Sequence, residues 1–139
     1  MKVLRNVRLE GEHGKPILVD LFFENDNLPK PIVIFSHGFK GFKDWGHFNL
    51  VAEHFANAGF FFVKFNFSHN GTTPEKPDEF ADLEAFGNNN FSIELDDLGT
   101  VIDYALSENS IDHQIDTSKL YLLGHSRGGG ISILKAGED

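Results

Sequence analysis

The sequence predicts an α/β fold, a mostly parallel β-sheet with helices on both faces, built from about five strands and three helices. Three observations carry this. Apolar runs such as "IVIFSHG" (32–38) and "FFFVKFNF" (60–67) lead into glycine or polar turns, the pattern of strands buried on both faces. Between them, Phe48, Val51, Ala52, Phe55 and Ala56 recur at the spacing of one helical stripe. Strand-like and helix-like stretches then alternate along the chain, which implies parallel strands joined by crossover helices.

The elements follow in order. "VLRNVRL" (3–9) and "ILVDLFF" (17–23) flank Glu10–Gly14 and predict a β-hairpin that adds an antiparallel edge. Pro29 and Pro31 precede the third strand. The helix over 45–58 takes Asp44 as its expected N-cap and Gly59 as its C′ residue. After the fourth strand at 60–67, Gly71, Pro74, Pro77 and Asn88-Asn89-Asn90 mark a loop with room for a short helix near 78–86. Leu95, Leu98, Val101, Ile102, Ala105 and Leu106 restore the helical period. "KLYLLGH" (119–125) reads as the last strand and 127–137 as the start of the last helix. No repeat or linker interrupts residues 1–139, which read as part of a single domain.

Composition narrows the function. The 139 residues include fifteen Phe, are 40% hydrophobic and carry a formal net charge of −9. An excess of acid argues against nucleic-acid binding, which needs clustered Lys and Arg. Without cysteine there is no disulfide framework or thiolate metal site. No H-x-x-H spacing supports a metal, and no cofactor is implied. No stretch approaches the ~18 consecutive apolar residues of a membrane span, so a cytoplasmic protein without membrane contact is the expectation.

The chemistry lies in Gly124-His125-Ser126-Arg127-Gly128, a G-x-S-x-G pattern. The pattern alone arises by accident in roughly one such chain in ten. Its context, "KLYLL" before and "GGISILKA" after, is the strand–turn–helix that lifts a serine nucleophile out of a sharp turn. Such a turn strains the serine backbone and leaves no room for side chains at 124 or 128. The run Gly128–Gly130 makes sense if the helix start presses on the sheet. "FSHGFKGF" (35–42) follows the third strand, where a second oxyanion donor belongs. The expected pair of donors is the backbone N–H of Phe39 and that of Arg127.

On these motifs the chain resembles the N-terminal half of an α/β-hydrolase, within the dienelactone hydrolase-like branch that includes feruloyl (cinnamoyl) esterases and related acyl-peptidase domains. "HGFKGFKDWG" resembles the oxyanion loop, "FNFSHNG" the end of the fourth strand, "NNFSIELDDLGTVIDYAL" the helix before the nucleophile strand, and "LLGHSRGG" the elbow. The resemblance implies a serine hydrolase acting on carboxylic esters through an acyl-enzyme at Ser126, with a small-molecule ester as its partner. A peptidase of the acyl-peptidase type is an alternative. In this fold the acid and the histidine of the triad follow the serine, yet no histidine follows Ser126 here. The chain is therefore expected to be a truncated hydrolase whose fold stops after the elbow helix, inert alone or serving as a binding or assembly module.

Among the histidines present, His69 is the nearest to a stand-in base. His125 should point away from the serine, and His37 should serve packing or a turn. His13, His47, His54 and His113 read as surface or helix-face residues. Glu138 and Asp139 lie too far down the helix to orient a base. Lys40, Lys43, Asp44 and Trp45 read as a solvated loop with Trp45 packed at the helix start. Glu75, Asp78, Glu79, Asp82 and Glu84 read as a solvated acidic face beside the cleft. The strand at 119–124 should be left as an edge, so self-association through Lys119–Gly124 is expected.

Overall fold

A computed structural model describes residues 1–107 and 114–138. His113 and Asp139 lie outside them. The strands are β1 (Lys2–Glu10), β2 (Pro16–Phe23), β3 (Lys30–Ser36), β4 (Phe61–Asn66) and β5 (Ile115–Gly124). The helices are α1 (Phe48–Asn57), α2 (Leu83–Gly87), α3 (Phe91–Ser107) and α4 (Arg127–Glu138). The helix beyond the expected three is α2, one short turn inside the long loop. The sheet order is β1-β2-β4-β3-β5. It is mixed, because β4 pairs antiparallel with β2 as well as parallel with β3, while β3 pairs parallel with β5.

Period-two alternation sorts the apolar runs onto two faces. Ile17, Val19, Leu21, Ile32, Ile34, Phe61, Val63 and Phe65 meet Leu98, Val101, Ile102 and Ala105 of α3 and Ile131 of α4. Phe22, Val33, Phe35 and Phe62 meet Phe48, Ala52 and Ala56 of α1. Burying a large apolar side chain contributes roughly 1.5–3 kcal/mol, so this double cover makes the sheet the organiser of the fold. Leu106, expected on the inner stripe of α3, is instead 37% exposed at the end of that helix. Among the described residues no helix is long and apolar enough to cross a membrane.

The two sheet edges differ. On β1 a bulge between Leu4 and Val7 puts Asn6 at φ 56°, and Lys2, Arg8 and Glu10 expose charge along the strand, while Arg5 reaches over Phe22 toward Asp20 and Asp44. On β5 Tyr121 is 53% exposed, and apolar grooves flank both faces, one lined by Leu120, Leu122 and Ile133 and the other by Val33, Phe55 and Phe60.

The boundary of α1 corrects one expectation. The helix begins at Phe48 with His47 at the N-cap and no side-chain cap, so Asp44 does not cap it. Gly59, one residue beyond the Ala58 C-cap, sits at φ 95° as a C′ glycine does. The acidic face is also only partly solvated, because Asp82 is half-buried. Its carboxylate accepts the Ala85 N–H at 3.1 Å to cap α2 and pairs with Lys15.

Candidate active site

β3 and β5 are parallel neighbours whose last residues, Ser36 and Gly124, are in register. From β3 the chain turns to α1 on one face, and from β5 it turns to α4 on the other. The carboxyl ends of two such strands enclose a crevice, the place where open α/β sheets bind ligands. A hydrogen bond from the His125 N–H to the Ser36 carbonyl (3.0 Å) ties the two turns together.

The elbow takes two residues. Ser126 sits at φ 57°, a left-handed conformation that costs a non-glycine residue roughly 1–2 kcal/mol. A Cβ on Gly124 would collide with the backbone of Gly128, and one on Gly128 with the carbonyl oxygens of Ser36 and His37. The start of α4 therefore touches the end of β3 with no atom to spare at Gly128. Gly130 has no such neighbour and Gly129 only ordinary contacts, so crowding accounts for the first glycine of the run alone.

The loop after β3 packs directly on the elbow. A Cβ on Gly38 would lie 3.1 Å from Ser126 Cβ and from the His125 carbonyl. The Gly38 carbonyl accepts from the Gly41 N–H and from His37 Nδ1, both at 2.9 Å. Across a trans peptide the Phe39 N–H points the opposite way, out of this turn. At the elbow, the Ser126 carbonyl accepts from the N–H groups of Gly129 and Gly130 inside α4. By the same geometry the Arg127 N–H points out of the helix N-terminus. Among the described residues neither N–H has an acceptor in the chain. Gly38, Phe39, Gly41, Trp45, Phe48, His125 and Ser126 are among the residues enclosing a cavity of about 260 Å³.

Four of the described histidines are held by their neighbours. His37 is buried, which lowers it to about 4 and keeps it neutral. Its Nδ1–H donates to Gly38 and its Nε2 accepts the Phe67 N–H (3.3 Å). His125 packs against Trp45 and Phe48, with ring centroids 6.1 and 5.7 Å away. His69 does not line the Ser126 cavity. Its Nδ1 lies 2.8 Å from Ser68 Oγ, whose hydroxyl donates to Asp97 (2.7 Å), so the Ser68 oxygen accepts from His69. Burial lowers His69, while burial pushes Asp97 up to about 6 against the two bonds it accepts from Ser68. Among the described residues that bond leaves Nε2 free, and it is the place of His69 outside the Ser126 cavity that removes it as a stand-in base. His13 pairs with Asp96 at 2.8 Å, and Glu138 pairs with Lys135 on α4. Among the described residues no histidine or carboxylate lies within hydrogen-bond distance of Ser126 Oγ.

Lys43 and Asp44 overturn the solvated-loop expectation. Lys43 is 1% exposed. Its ammonium lies 3.0 Å from Asp20 and 2.8 Å from Asp44, and Lys64 lies 2.8 Å from each of the same carboxylates. Asp20 and Lys64 are cross-strand partners on the α1 face of the sheet. Partial burial works to raise the Asp44 carboxyl, but the bonds from Lys43 and Lys64 hold it at about 2. Lys43 N–H also donates to Asn66 Oδ1 at 2.6 Å. The loop that carries Phe39 is thus anchored into the sheet by ions. Trp45 does pack on Phe48, with centroids 5.6 Å apart, yet stays 49% exposed on the cavity rim. The Arg127 side chain is held on α3, with Nε 2.5 Å from buried Glu94 and the guanidinium over the Phe91 ring. The helical stripe hid Glu94 because its inward carboxylate breaks the apolar pattern.

Solved structures with this architecture include esterases and a dienelactone hydrolase. Est1E from Butyrivibrio proteoclasticus, with ferulic acid bound, is 25% identical with a TM-score of 0.74, over 95% of this chain and 47% of that one. DcsB, solved with a substrate analogue, is 21% identical with a TM-score of 0.76, over 99% of this chain and 42% of that one. A dienelactone hydrolase from Anabaena variabilis is 23% identical with a TM-score of 0.72, over 99% of this chain and 59% of that one. No protein-family model matches the sequence, and no curated protein matches it. The chain has the fold of the N-terminal half of an α/β-hydrolase and spans 42–59% of the length of these three structures.

Proposed function

We propose that the chain supplies the nucleophile and the oxyanion site of a serine hydrolase for carboxylic esters. Ser126 Oγ bonds to the acyl carbon as the carbonyl π pair moves onto oxygen, where the N–H groups of Phe39 and Arg127 receive it. A histidine outside this chain's described residues, oriented by an acid, takes the serine proton and passes it to the departing alcohol. Water then cleaves the acyl-enzyme by the same route. Preorganised N–H donors of this kind are worth roughly 3–4 kcal/mol each in the transition state. The observation that carries the reading is the pair of unpartnered N–H groups beside a strained, exposed serine.

A fluorophosphonate probe tests it. In a preparation that also holds the acid and the histidine, the adduct is expected on the peptide containing Ser126 and lost in Ser126→Ala. An adduct elsewhere in an active preparation would overturn the assignment. With no base at Ser126 Oγ, the second reading is a chain inert alone that acts in assembly. Enzyme-like labelling of Ser126 in the isolated chain would sink it.

The assembly reading rests on the open edge of β5. Exposed hydrophobic edges recruit other strands. Self-association through Lys119–Gly124 is expected, with size exclusion and light scattering showing more than one chain per particle. Tyr121→Lys together with Ile133→Glu should return it to a monomer. A monomeric parent across a hundredfold concentration range would dismiss the idea.

A further inference from the structure

A second cavity adjoins the Ser126 cavity. It has a volume of about 330 Å³ and is lined by Lys40, Phe80, Leu83 and Phe86. Lys40 borders both cavities, and the Phe39 ring lies 5.5 Å from Phe86. The residue that offers an oxyanion N–H therefore also forms the partition between the two. Leu83 is 70% exposed and Phe80 41% exposed, although nothing in a surface loop requires apolar side chains there.

The groove is built rather than incidental. Gly71, at φ 98°, leaves the space that Phe80 and Phe86 occupy, since a Cβ there would come within 3.1 Å of one and 3.2 Å of the other. The Gly71 carbonyl accepts the Asp82 N–H at 2.9 Å, and Asp82 caps α2 and pairs with Lys15. Phe80 packs against Phe42 and Phe86, with centroids 6.1 and 6.2 Å away. Among the described residues Lys40 is the one acidic or basic side chain on the groove, and its stem passes the Phe39 ring, with Nζ 5.9 Å from the centroid. The grooves flanking β5 are apolar too, but share no lining residue with the Ser126 cavity.

We propose that α2 and the segment before it are a specificity element, with Phe80, Leu83 and Phe86 forming the subsite for an extended apolar chain of the ester whose carbonyl sits at Ser126. This rests on the ester-hydrolase reading above. The adjacency of the two cavities, with Lys40 bordering both, selects this occupant. Each methylene that enters such a groove strengthens binding by about fourfold, so lengthening the chain by four carbons should gain well over tenfold.

The test titrates methyl butyrate and methyl octanoate into the protein, following the Leu83 methyl groups and the Trp45 indole N–H by NMR. Octanoate is expected to bind more than tenfold tighter and to shift both signals, whereas butyrate shifts Trp45 alone. Leu83→Asp, a surface change that leaves the core untouched, should abolish the length preference and keep the butyrate shift at Trp45. Equal affinity for the two esters, or octanoate shifts at Ile133 with Leu83 unmoved, would overturn the subsite. Shifts at Leu83 without any response of Trp45 to either ester would uphold apolar binding in the groove while removing the carbonyl from the Ser126 cavity.

Discussion

Asp20→Ala is expected to destabilise the protein by about 3–5 kcal/mol, the range for stripping one partner from a buried ion pair. Asp20 is fully buried, and one carboxylate oxygen sits 2.8 Å from Lys64 and 3.0 Å from Lys43. The other oxygen accepts the Asn6 N–H at 2.8 Å. Its removal leaves two ammonium groups in the interior with Asp44 alone to balance them, and an orphaned N–H on the bulge of β1. Replacing the charges together by apolar residues of similar volume should be far milder than Asp20→Ala, because no uncompensated charge is left behind. Urea unfolding measures this as a lower midpoint at unchanged slope. A shift in stability below 1 kcal/mol would mean that water reaches the cluster and that the Phe39 loop is not anchored by it.

Gly128→Ala and Gly130→Ala are expected to act in opposite directions, though they lie two residues apart on one helix. A methyl at 128 overlaps the Ser36 and His37 carbonyls, which do not yield without moving β3, whereas a methyl at 130 meets nothing within 4 Å. Overpacking costs about 1–3 kcal/mol, and Gly128→Ala should also displace the Arg127 N–H, lowering fluorophosphonate labelling of Ser126 in the complemented preparation. Gly130→Ala removes a flexible residue from the helix and should stabilise by up to about 1 kcal/mol. Equal effects of the two changes, by urea unfolding, would show that α4 does not rest on the end of β3.

The difference between these glycines shows how far the sequence could be read. A strained serine dictates what may stand at fixed offsets from it, so the elbow left a local signature in Gly124 and Gly128. The doubly buried strands did the same through their apolar runs. The ion cluster left none. "FKGFKDWG" has the composition of a solvated loop, and only the pairing of β2 with β4 brings Asp20 and Lys64 beneath it. Asp44 looked like a helix cap for the same reason, since a short acidic residue before an apolar stripe fits that role until a lysine on another strand claims it. Glu94 and Asp97 were hidden by the helical stripe, which marks apolar residues and is silent on inward carboxylates that bond to Arg127 and Ser68. The subsite on α2 depends on a contact between Phe39 and Phe86 across a long stretch of chain, beyond any local pattern.

The unlike edges of the sheet have a consequence for symmetry. The bulge and outward charges of β1 deny that strand to a further chain, while β5 is apolar from Leu120 to Leu123, between two apolar grooves. A ribbon that grows without limit needs two receptive edges on every copy, one to give and one to take. This chain offers one. If β5 takes a further copy, as proposed above, the addition is isologous, two copies meeting about a two-fold axis and consuming the edge of each. Such an assembly closes at the dimer instead of extending into a fibre.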